Sequence, residues 1–131
     1  MAIKRYNPEG LYQPVAAYFQ NNEVPAGARW LVTAGQVGIA SDGKLVKDPR
    51  DQIMQAWRNV KAAVEGAGMT VDDIVKLTIY MTENAKDLML HSRECRAQVL
   101  EGAKPGATLV YVAGLADPDM VIEVDIVAAK A

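Results

Sequence analysis

One short segment constrains the fold of this chain more than any other. Residues 74–82 have the sequence IVKLTIYMT, in which apolar side chains alternate with polar ones. Because successive side chains of a β-strand point to opposite faces, this period of two predicts a strand that buries Val75, Leu77, Ile79 and Met81. The segment therefore predicts a sheet that the rest of the chain covers on one side.

Two other segments have the three- and four-residue spacing of amphipathic helices. The first covers residues 49–64 and is followed by Gly66, which favours a helix end at that point. The second covers residues 85–100 and is followed by Gly102. The apolar residues predicted to face the core from the second helix are Leu88, Met89, Cys95, Val99 and Leu100.

Further strands are indicated by β-forming residues and by turn signals. Residues 29–37 predict a strand, and residues 14–20 are expected to pair with it as an earlier strand. Asp42 and Gly43 predict a tight turn that closes a small hairpin, because glycine adopts a positive φ freely.

Two β-rich runs end the chain, at residues 107–115 and 120–129, and the turn between them predicts a C-terminal hairpin. The order of elements predicts an α+β fold with a single mixed β-sheet and two helices on one face. Since no repeat or linker interrupts the pattern, residues 1–131 are expected to form a single domain. Apolar residues on the other face of the sheet predict self-association.

Composition excludes several classes of protein. Hydrophobic residues make up 50% of the 131 residues, charged residues make up 23%, and the net charge is -2. This balance is typical of a soluble globular protein and offers no basic surface to a nucleic acid. No apolar run is long enough to cross a membrane. The single cysteine, Cys95, fits a reducing compartment and poorly supports a metal site, so we expect a cytoplasmic protein without a metal.

Four segments in the same chain together resemble the Rid (YjgF/RidA, reactive intermediate imine deaminase) family. They are Trp30–Gln36 (WLVTAGQ), Asn59–Gly68 (NVKAAVEGAG), Asp73–Met81 (DIVKLTIYM) and Ile122–Asp125 (IEVD). The resemblance extends over almost the whole chain. It implies the chorismate-mutase-like YjgF fold and a homotrimer, in which the sheets line a central barrel and clefts form between neighbouring subunits.

The same resemblance implies a chemistry. Active members of the family hydrolyse an imine or enamine to a ketone and ammonia, and they use neither a metal nor an organic cofactor. An arginine binds the substrate carboxylate, while a glutamate positions water. The implied partner is therefore a small-molecule metabolite, and no cofactor is expected.

The arginine is missing from this chain. The family motif begins Pro-Ala-Arg-Ser, whereas the sequence here is Pro105-Gly106-Ala107-Thr108, so that Ala107 stands at the arginine position. A planar guanidinium binds a carboxylate through two parallel hydrogen bonds, and alanine offers none. We therefore expect weak or altered deaminase activity.

Other site positions carry over from the family unevenly. Glu123 matches the catalytic glutamate, although the preceding turn is one residue longer here and a strand carboxylate is otherwise most often solvated. Ala34 and Ser92 stand where relatives have serine and asparagine, so polar contacts are lost or shortened. The implied substrate-binding residues are Tyr18, Ala34, Gly35, Ser92, Ala107 and Thr108.

Two pairs on the second helix have alternative interpretations. Arg93 and Arg96 could supply the missing positive charge from a different wall of the cleft, or they could be solvated or paired with nearby carboxylates. His91 and Cys95 are four residues apart, which would suit a catalytic or metal-binding pair. We favour a core cysteine, because a stable zinc site needs three or four ligands.

Two functional hypotheses follow from the sequence. One is an enzyme-like cleft, descended from imine or enamine deamination, that acts weakly or on an altered substrate. The other is a trimer that binds a metabolite or a partner protein without turnover. Ribonuclease action, sometimes attributed to relatives, is disfavoured by the acidic composition and the single histidine.

Overall fold

The structure, a computed structural model, describes residues 2–131. Short 3-10 turns occupy Val71–Asp73 and Glu83–Leu88. The helices and strands in chain order are β1 (Lys4–Tyr6), β2 (Asn21–Glu23), β3 (Arg29–Val32), β4 (Gln36–Val37), α1 (Pro49–Gly66), β5 (Ile74–Thr82), α2 (Met89–Val99), β6 (Gly106–Val112) and β7 (Ile122–Lys130).

Five of the strands form one mixed sheet. Its order is β3-β7-β5-β6, and β4 also pairs with β7. The central strand β5 is antiparallel to β7 and parallel to β6, so α2 lies in the crossover that a parallel pair requires. The predicted α+β fold, with one mixed sheet and both helices on one face, is confirmed.

The core lies between α1 and the sheet. Asp48 caps α1 by accepting the N–H of Asp51 at 3.0 Å, and Pro49 follows at the start of the helix. From this helix Ile53 and Trp57 are fully buried. The sheet residues in the same cluster are Leu77, Ile79, Met81, Ile122, Val124 and Ile126. The alternation predicted for residues 74–82 is confirmed, because the apolar side of β5 faces this cluster.

The predicted C-terminal hairpin is wrong. β6 and β7 follow each other in sequence, but β5 lies between them and pairs with both. The turn signal at residues 116–119 predicts a change of direction correctly. It cannot predict the neighbours of each strand, because these depend on which strand takes the centre of the sheet.

The predicted strand at residues 14–20 is also wrong. This segment is irregular, and the N–H of Phe19 donates to the carbonyl of Lys104 at 3.0 Å, so the segment packs against the α2–β6 connection. The strand that precedes β3 is β2, which pairs with β1 in a separate two-stranded sheet. Arg5 joins this small sheet to the main one, donating to Asn22 Oδ1 at 2.6 Å and to the carbonyl of Ile74 at 2.8 Å.

Two boundaries differ from the predictions in detail. The strand expected at residues 29–37 is interrupted, and β3 and β4 pair with different parts of β7. The helix expected from residue 85 begins as a 3-10 turn and becomes α-helical at Met89. The turn at Asp42 and Gly43 is confirmed: Gly43 has φ +83°, and Ile39 and Leu45 form an antiparallel bridge around it.

Two features are absent from the part of the chain that the structure describes. Neither helix within residues 2–131 combines the length and apolar character needed to span a bilayer. In the same range, no three His, Cys, Asp or Glu side chains are grouped as metal ligands.

Candidate functional site

A cavity of about 200 Å³ opens between α2, the start of β6 and the irregular segment at residues 14–20. Its polar lining residues are Tyr18, Ser92, Arg93, Arg96 and Thr108. Its apolar walls consist of Val15, Ala16, Trp57, Ile79, Met81, Met89, Ala107 and Leu109. The cavity is therefore mostly apolar, with a few polar side chains, as small-molecule sites usually are.

Ala107 lies on the helix side of the sheet. It is the register partner of Leu77, which is fully buried in the core, and register partners on neighbouring strands share a face. Ala107 lines the cavity. This wall therefore contributes no charge.

Ser92 lies on α2 with only 3% of its surface exposed. Its Oγ accepts the indole N–H of Trp57 at 3.1 Å. Because the oxygen is the acceptor in this bond, the hydroxyl proton is available for a ligand oxygen in the cavity. Tyr18 is arranged in a similar way, since its hydroxyl oxygen accepts the N–H of Val15 at 3.3 Å.

Arg96 is the least expected residue in the cavity wall. Its side chain is 7% exposed, and its Nη2 donates to the carbonyl of Ala17. Burial lowers the pKa of Arg96, and the nearby positive charge of Arg93 lowers the pKa further. The alternative of a solvated or carboxylate-paired Arg96 is therefore wrong.

The nearby carboxylates do not compensate this charge. Glu101 pairs with Lys61 at 3.5 Å. Within residues 2–131 the only other side-chain ion pair joins Lys47 to Asp119 at 2.9 Å. Arg93 is exposed and also lines the cavity. Two arginines therefore line the cavity, the buried Arg96 and the exposed Arg93.

Glu123 and Gly35 form a second group of predicted site residues. An ideal Cβ on Gly35 would lie 1.9 Å from Oε2 of Glu123, so the carboxylate rests against the glycine backbone. Glu123 is the register partner of Val37 on one side and of Tyr80 on the other. Ala34 is exposed next to Gly35, and its carbonyl accepts the side-chain amide of Gln36 at 3.2 Å.

The two groups lie on opposite faces of the sheet. Ala107 shares the face of Leu77, whereas Glu123 shares the face of Tyr80, and these positions on β5 alternate. The side chain of Thr108, the register partner of Thr78, lies on the face of Glu123, where its Oγ1 accepts a hydrogen bond from Lys76 Nζ at 2.5 Å. One chain therefore brings Tyr18, Ser92 and Ala107 together. It does not bring Glu123, Gly35 or Ala34 to the same cavity.

These features define an α+β protein with a partly polar cavity beside an edge strand and a separate glutamate on the open sheet face. A family model described as Endoribonuclease L-PSP matches residues 11–130. The chain belongs to this family, which is the Rid (YjgF) family.

Similar proteins support the assignment of this chain to the Rid family. The chain is 33% identical to a RutC family protein of Pyrococcus horikoshii over 126 residues, which cover 93% of this chain and 94% of the relative. A 2-iminobutanoate/2-iminopropanoate deaminase of Salmonella typhimurium is 39% identical over 54 residues, or 40% of this chain and 42% of that protein.

Solved structures show the same fold. The Rid family protein YyfB of Yersinia pestis matches this chain with a TM-score of 0.86 and 30% identity. The match covers 99% of this chain and 100% of that one. TdcF of Escherichia coli, solved with bound serine, has a TM-score of 0.72 and 28% identity, covering 100% of this chain and 99% of that one.

Trp57 was not among the predicted site residues, and the burial of Arg96 was not predicted, although the sequence contained a signal for both. Trp57 is placed by the period of α1. Ser92, Arg96 and Leu100 follow one another at four-residue steps, which puts Arg96 on the same helix face as a buried serine and a buried leucine. Charge alone suggested an exposed side chain, and the helical period would have corrected it.

Proposed function

We propose that the chain forms a hydrolytic cleft of the imine and enamine deaminase type, altered in specificity because Ala107 replaces the carboxylate-binding arginine. The observation that carries the proposal is the grouping of Tyr18, Ser92 and Ala107 around one cavity. All three match positions of the family cleft. The names of the deaminases among its relatives support the reaction class.

The proposal includes a homotrimer. Its support is that the cavity and the pair formed by Glu123 and Gly35 lie on opposite faces of the sheet. A second copy of the chain would have to supply Glu123 and Gly35 to the cavity of the first. The open face of the sheet also exposes Trp30 by 56% and Val32 by 72%. Apolar side chains exposed together on a sheet face are typical of an interface. The free, buried thiol of Cys95 is consistent with a cytoplasmic location, which we also propose.

In the proposed reaction Glu123 acts as the general base. Its carboxylate takes a proton from water while the water oxygen bonds to the imine carbon, which gives a tetrahedral carbinolamine. Glu123 passes this proton to the nitrogen, and the carbinolamine hydroxyl supplies a second proton to the nitrogen. The carbon–nitrogen bond then breaks, and ammonia leaves as the carbonyl forms. The hydroxyls of Ser92 and Tyr18 orient the substrate in the cavity, and apolar walls exclude bulk water.

The alanine has a quantitative consequence. A bidentate arginine–carboxylate contact that forms mainly in the transition state is worth about 4 kcal/mol, or about a thousandfold in rate. We therefore propose that turnover of imino acids bound in the usual orientation is about a thousandfold lower than in arginine-bearing relatives.

The test follows ammonia release from freshly generated imines of the 2-aminoacrylate type. We expect Ala107→Arg to raise the rate at least tenfold and Glu123→Gln to abolish it. Ala62→Arg, which adds the same charge at an exposed position of α1, serves as the matched control and should leave the rate unchanged. A wild-type rate that Glu123→Gln leaves unchanged would refute the catalytic role.

A second candidate function is binding of a metabolite or partner protein without turnover, because the cavity walls persist although the expected clamp is missing. Saturable ligand binding without ammonia release, in both the wild type and Ala107→Arg, would favour it. The description of the family model also names an endoribonuclease. Cleavage of RNA that requires Glu123 would favour that activity over both proposals.

A further inference from the structure

We propose that Arg96, assisted by Arg93, binds the anionic group of a small acid in this cavity, and so replaces the missing arginine from a different wall. This inference rests on the proposed function in one respect, namely that the cavity is the ligand site. It names the class of ligand and the residue that recognises it.

The first support is the state of the Arg96 guanidinium. Arg96 is 7% exposed as a residue, and no carboxylate in residues 2–131 forms an ion pair with its guanidinium. One of its five N–H donors is used by the carbonyl of Ala17. A buried positive charge without a counter-ion is costly, and an anion that enters the cavity would reduce this cost.

The second support is the position of Arg93. It lies three residues before Arg96, so both side chains project from the same side of α2, and both line the cavity. The positive charges of Arg93 and Arg96 repel each other, and an anion bound between them would be attracted to both. The exposed Arg93 is also placed to attract the anion from solvent.

The cavity size and walls restrict the ligand. A cavity of about 200 Å³ accommodates only a small molecule. Ile79, Met81 and Leu109 offer apolar walls, while Ser92 offers a hydroxyl. The ligand class is therefore a short-chain carboxylic acid with one further polar group, such as a 2-oxo or 2-imino acid.

Recognition from α2 would change the orientation of the substrate. In the family cleft the anion is bound at the start of β6, where this chain has Ala107. An acid held by Arg96 would direct a different part of its chain toward the cavity mouth. Anion binding by Arg96 would therefore give an altered substrate specificity rather than a simple loss of function.

A purely structural role for Arg96 is the competing explanation. Its bond to the carbonyl of Ala17 holds the segment at residues 14–20 against α2. Any N–H donor of suitable length could make this contact, and lysine would retain much of it. Acid binding and attachment of the segment can therefore be separated by experiment.

Trp57 provides a fluorescence signal for the test, because its indole ring lines the cavity. The chain contains two tryptophans, so Trp30→Phe leaves Trp57 as the only one. In this background, 2-oxobutanoate is titrated against its uncharged analogue 2-butanone. We expect saturable quenching or shift by the acid at millimolar concentration and a much weaker response to the ketone.

Four variants in the same background then identify the residues that bind the acid. Arg96→Met should weaken binding of the acid about a hundredfold, Arg93→Gln about threefold to tenfold, and Arg96→Lys by an intermediate factor. Arg58→Gln, at an exposed arginine of α1, is the matched control and should bind as the parent does. Arg93→Gln and Arg96→Lys provide the answer if Arg96→Met does not fold.

Two results would overturn the proposal: acid binding within twofold of the parent in both Arg96→Lys and Arg93→Gln, or acid binding that appears only in Ala107→Arg. The proposed function fails separately. Acid binding that depends on Arg96, without any ammonia release, would leave the clamp standing and refute hydrolysis. Ammonia release that depends on Glu123 but not on Arg96 would do the reverse.

Discussion

The carboxylate of Glu123 occupies the space beside Gly35 that a side chain at that position would fill. Oε2, Cδ and Cγ of Glu123 would lie 1.9, 2.6 and 2.8 Å from a Cβ on Gly35. Glycine at position 35 therefore leaves room for the carboxylate of Glu123 against the β3–β4 connection.

This contact predicts the effect of Gly35→Ala. The added methyl group must displace Glu123, and the displacement is inexpensive because the end of a glutamate side chain is flexible. We expect the variant to fold with a stability within about 1 kcal/mol of the wild type. Ammonia release should fall about a hundredfold, because the base is misplaced.

The control for this prediction is Gly114→Ala, since a Cβ on Gly114 meets no atom within 4 Å. It should match the wild type in both stability and rate. If Gly35→Ala retained full activity, the position of Glu123 against the glycine would have no role in the reaction.

Gln52 on α1 determines how the connection into β7 is held. It is fully buried, its Nε2 donates to the carbonyls of Val46 and Asp119 at 3.0 and 2.9 Å, and its Oε1 accepts the N–H of Val121 at 2.7 Å. Three backbone groups therefore depend on one side chain. Since Val121 directly precedes β7, this side chain also positions the strand that carries Glu123.

Gln52→Met keeps the approximate volume of the side chain and removes all three hydrogen bonds. At about 1 kcal/mol for each backbone group left unsatisfied, we expect a loss of about 3 kcal/mol in the free energy of unfolding. Urea denaturation at a fixed protein concentration measures it. Gln98→Met, at an exposed residue of α2, should change stability by less than about 0.5 kcal/mol, and an equal loss in both variants would contradict the assignment.

The sequence predicted those parts of the fold that depend on local periodicity. The alternation in residues 74–82 and the helical spacing of α1 each report burial of their own side chains, and both were confirmed. Strand order was not predictable in this way. β6 and β7 adjoin in sequence but flank β5, because the pairing of strands is decided by the packing of the whole sheet.

The site was predictable to a different extent. Tyr18, Ser92 and Ala107 were identified by resemblance, and the structure places them around one cavity. Arg96 was named only as one of two alternatives, because arginine in a helix is usually exposed. Its spacing from Ser92 and Leu100 indicates the buried face of α2, but its contact with the irregular segment at residues 14–20 has no periodic signal.

Val32 allows a test of the proposed assembly. It is 72% exposed, and its register partner Val127 places it on the same sheet face as Glu123. A charge at this position would be buried without a partner in a trimer, which is strongly unfavourable. We therefore expect Val32→Glu to dissociate the assembly and to abolish ammonia release, as measured by light scattering coupled to size-exclusion chromatography.

Leu90→Glu is the matched control for this substitution. Leu90 is 63% exposed but lies on α2, away from the open sheet face. The variant should keep the molecular mass of the wild type. If Val32→Glu also kept that mass, the open sheet face would not be the contact surface.

Cys95 is expected to be chemically inert in the native protein. It is 2% exposed, and its Sγ lies 3.5 Å from Nε2 of His91. Burial, followed by the charge of Glu94, raises the pKa of the Cys95 thiol, so the reactive thiolate is suppressed as well as inaccessible. A thiol reagent such as dithionitrobenzoate should therefore react about a thousandfold more slowly with the native than with the urea-unfolded protein. The rate of the native protein is then set by how often its core opens.

The same raised pKa fixes the sign of a pH effect. A thiol that holds its proton more tightly in the native state contributes stability below the ordinary thiol pKa. This contribution is lost as the pH rises through the native pKa. Stability measured by urea denaturation should therefore decline on the alkaline side, and Cys95→Ala should remove that part of the decline. A native thiol that reacts as fast as the unfolded one would show instead that Cys95 and His91 form an accessible pair.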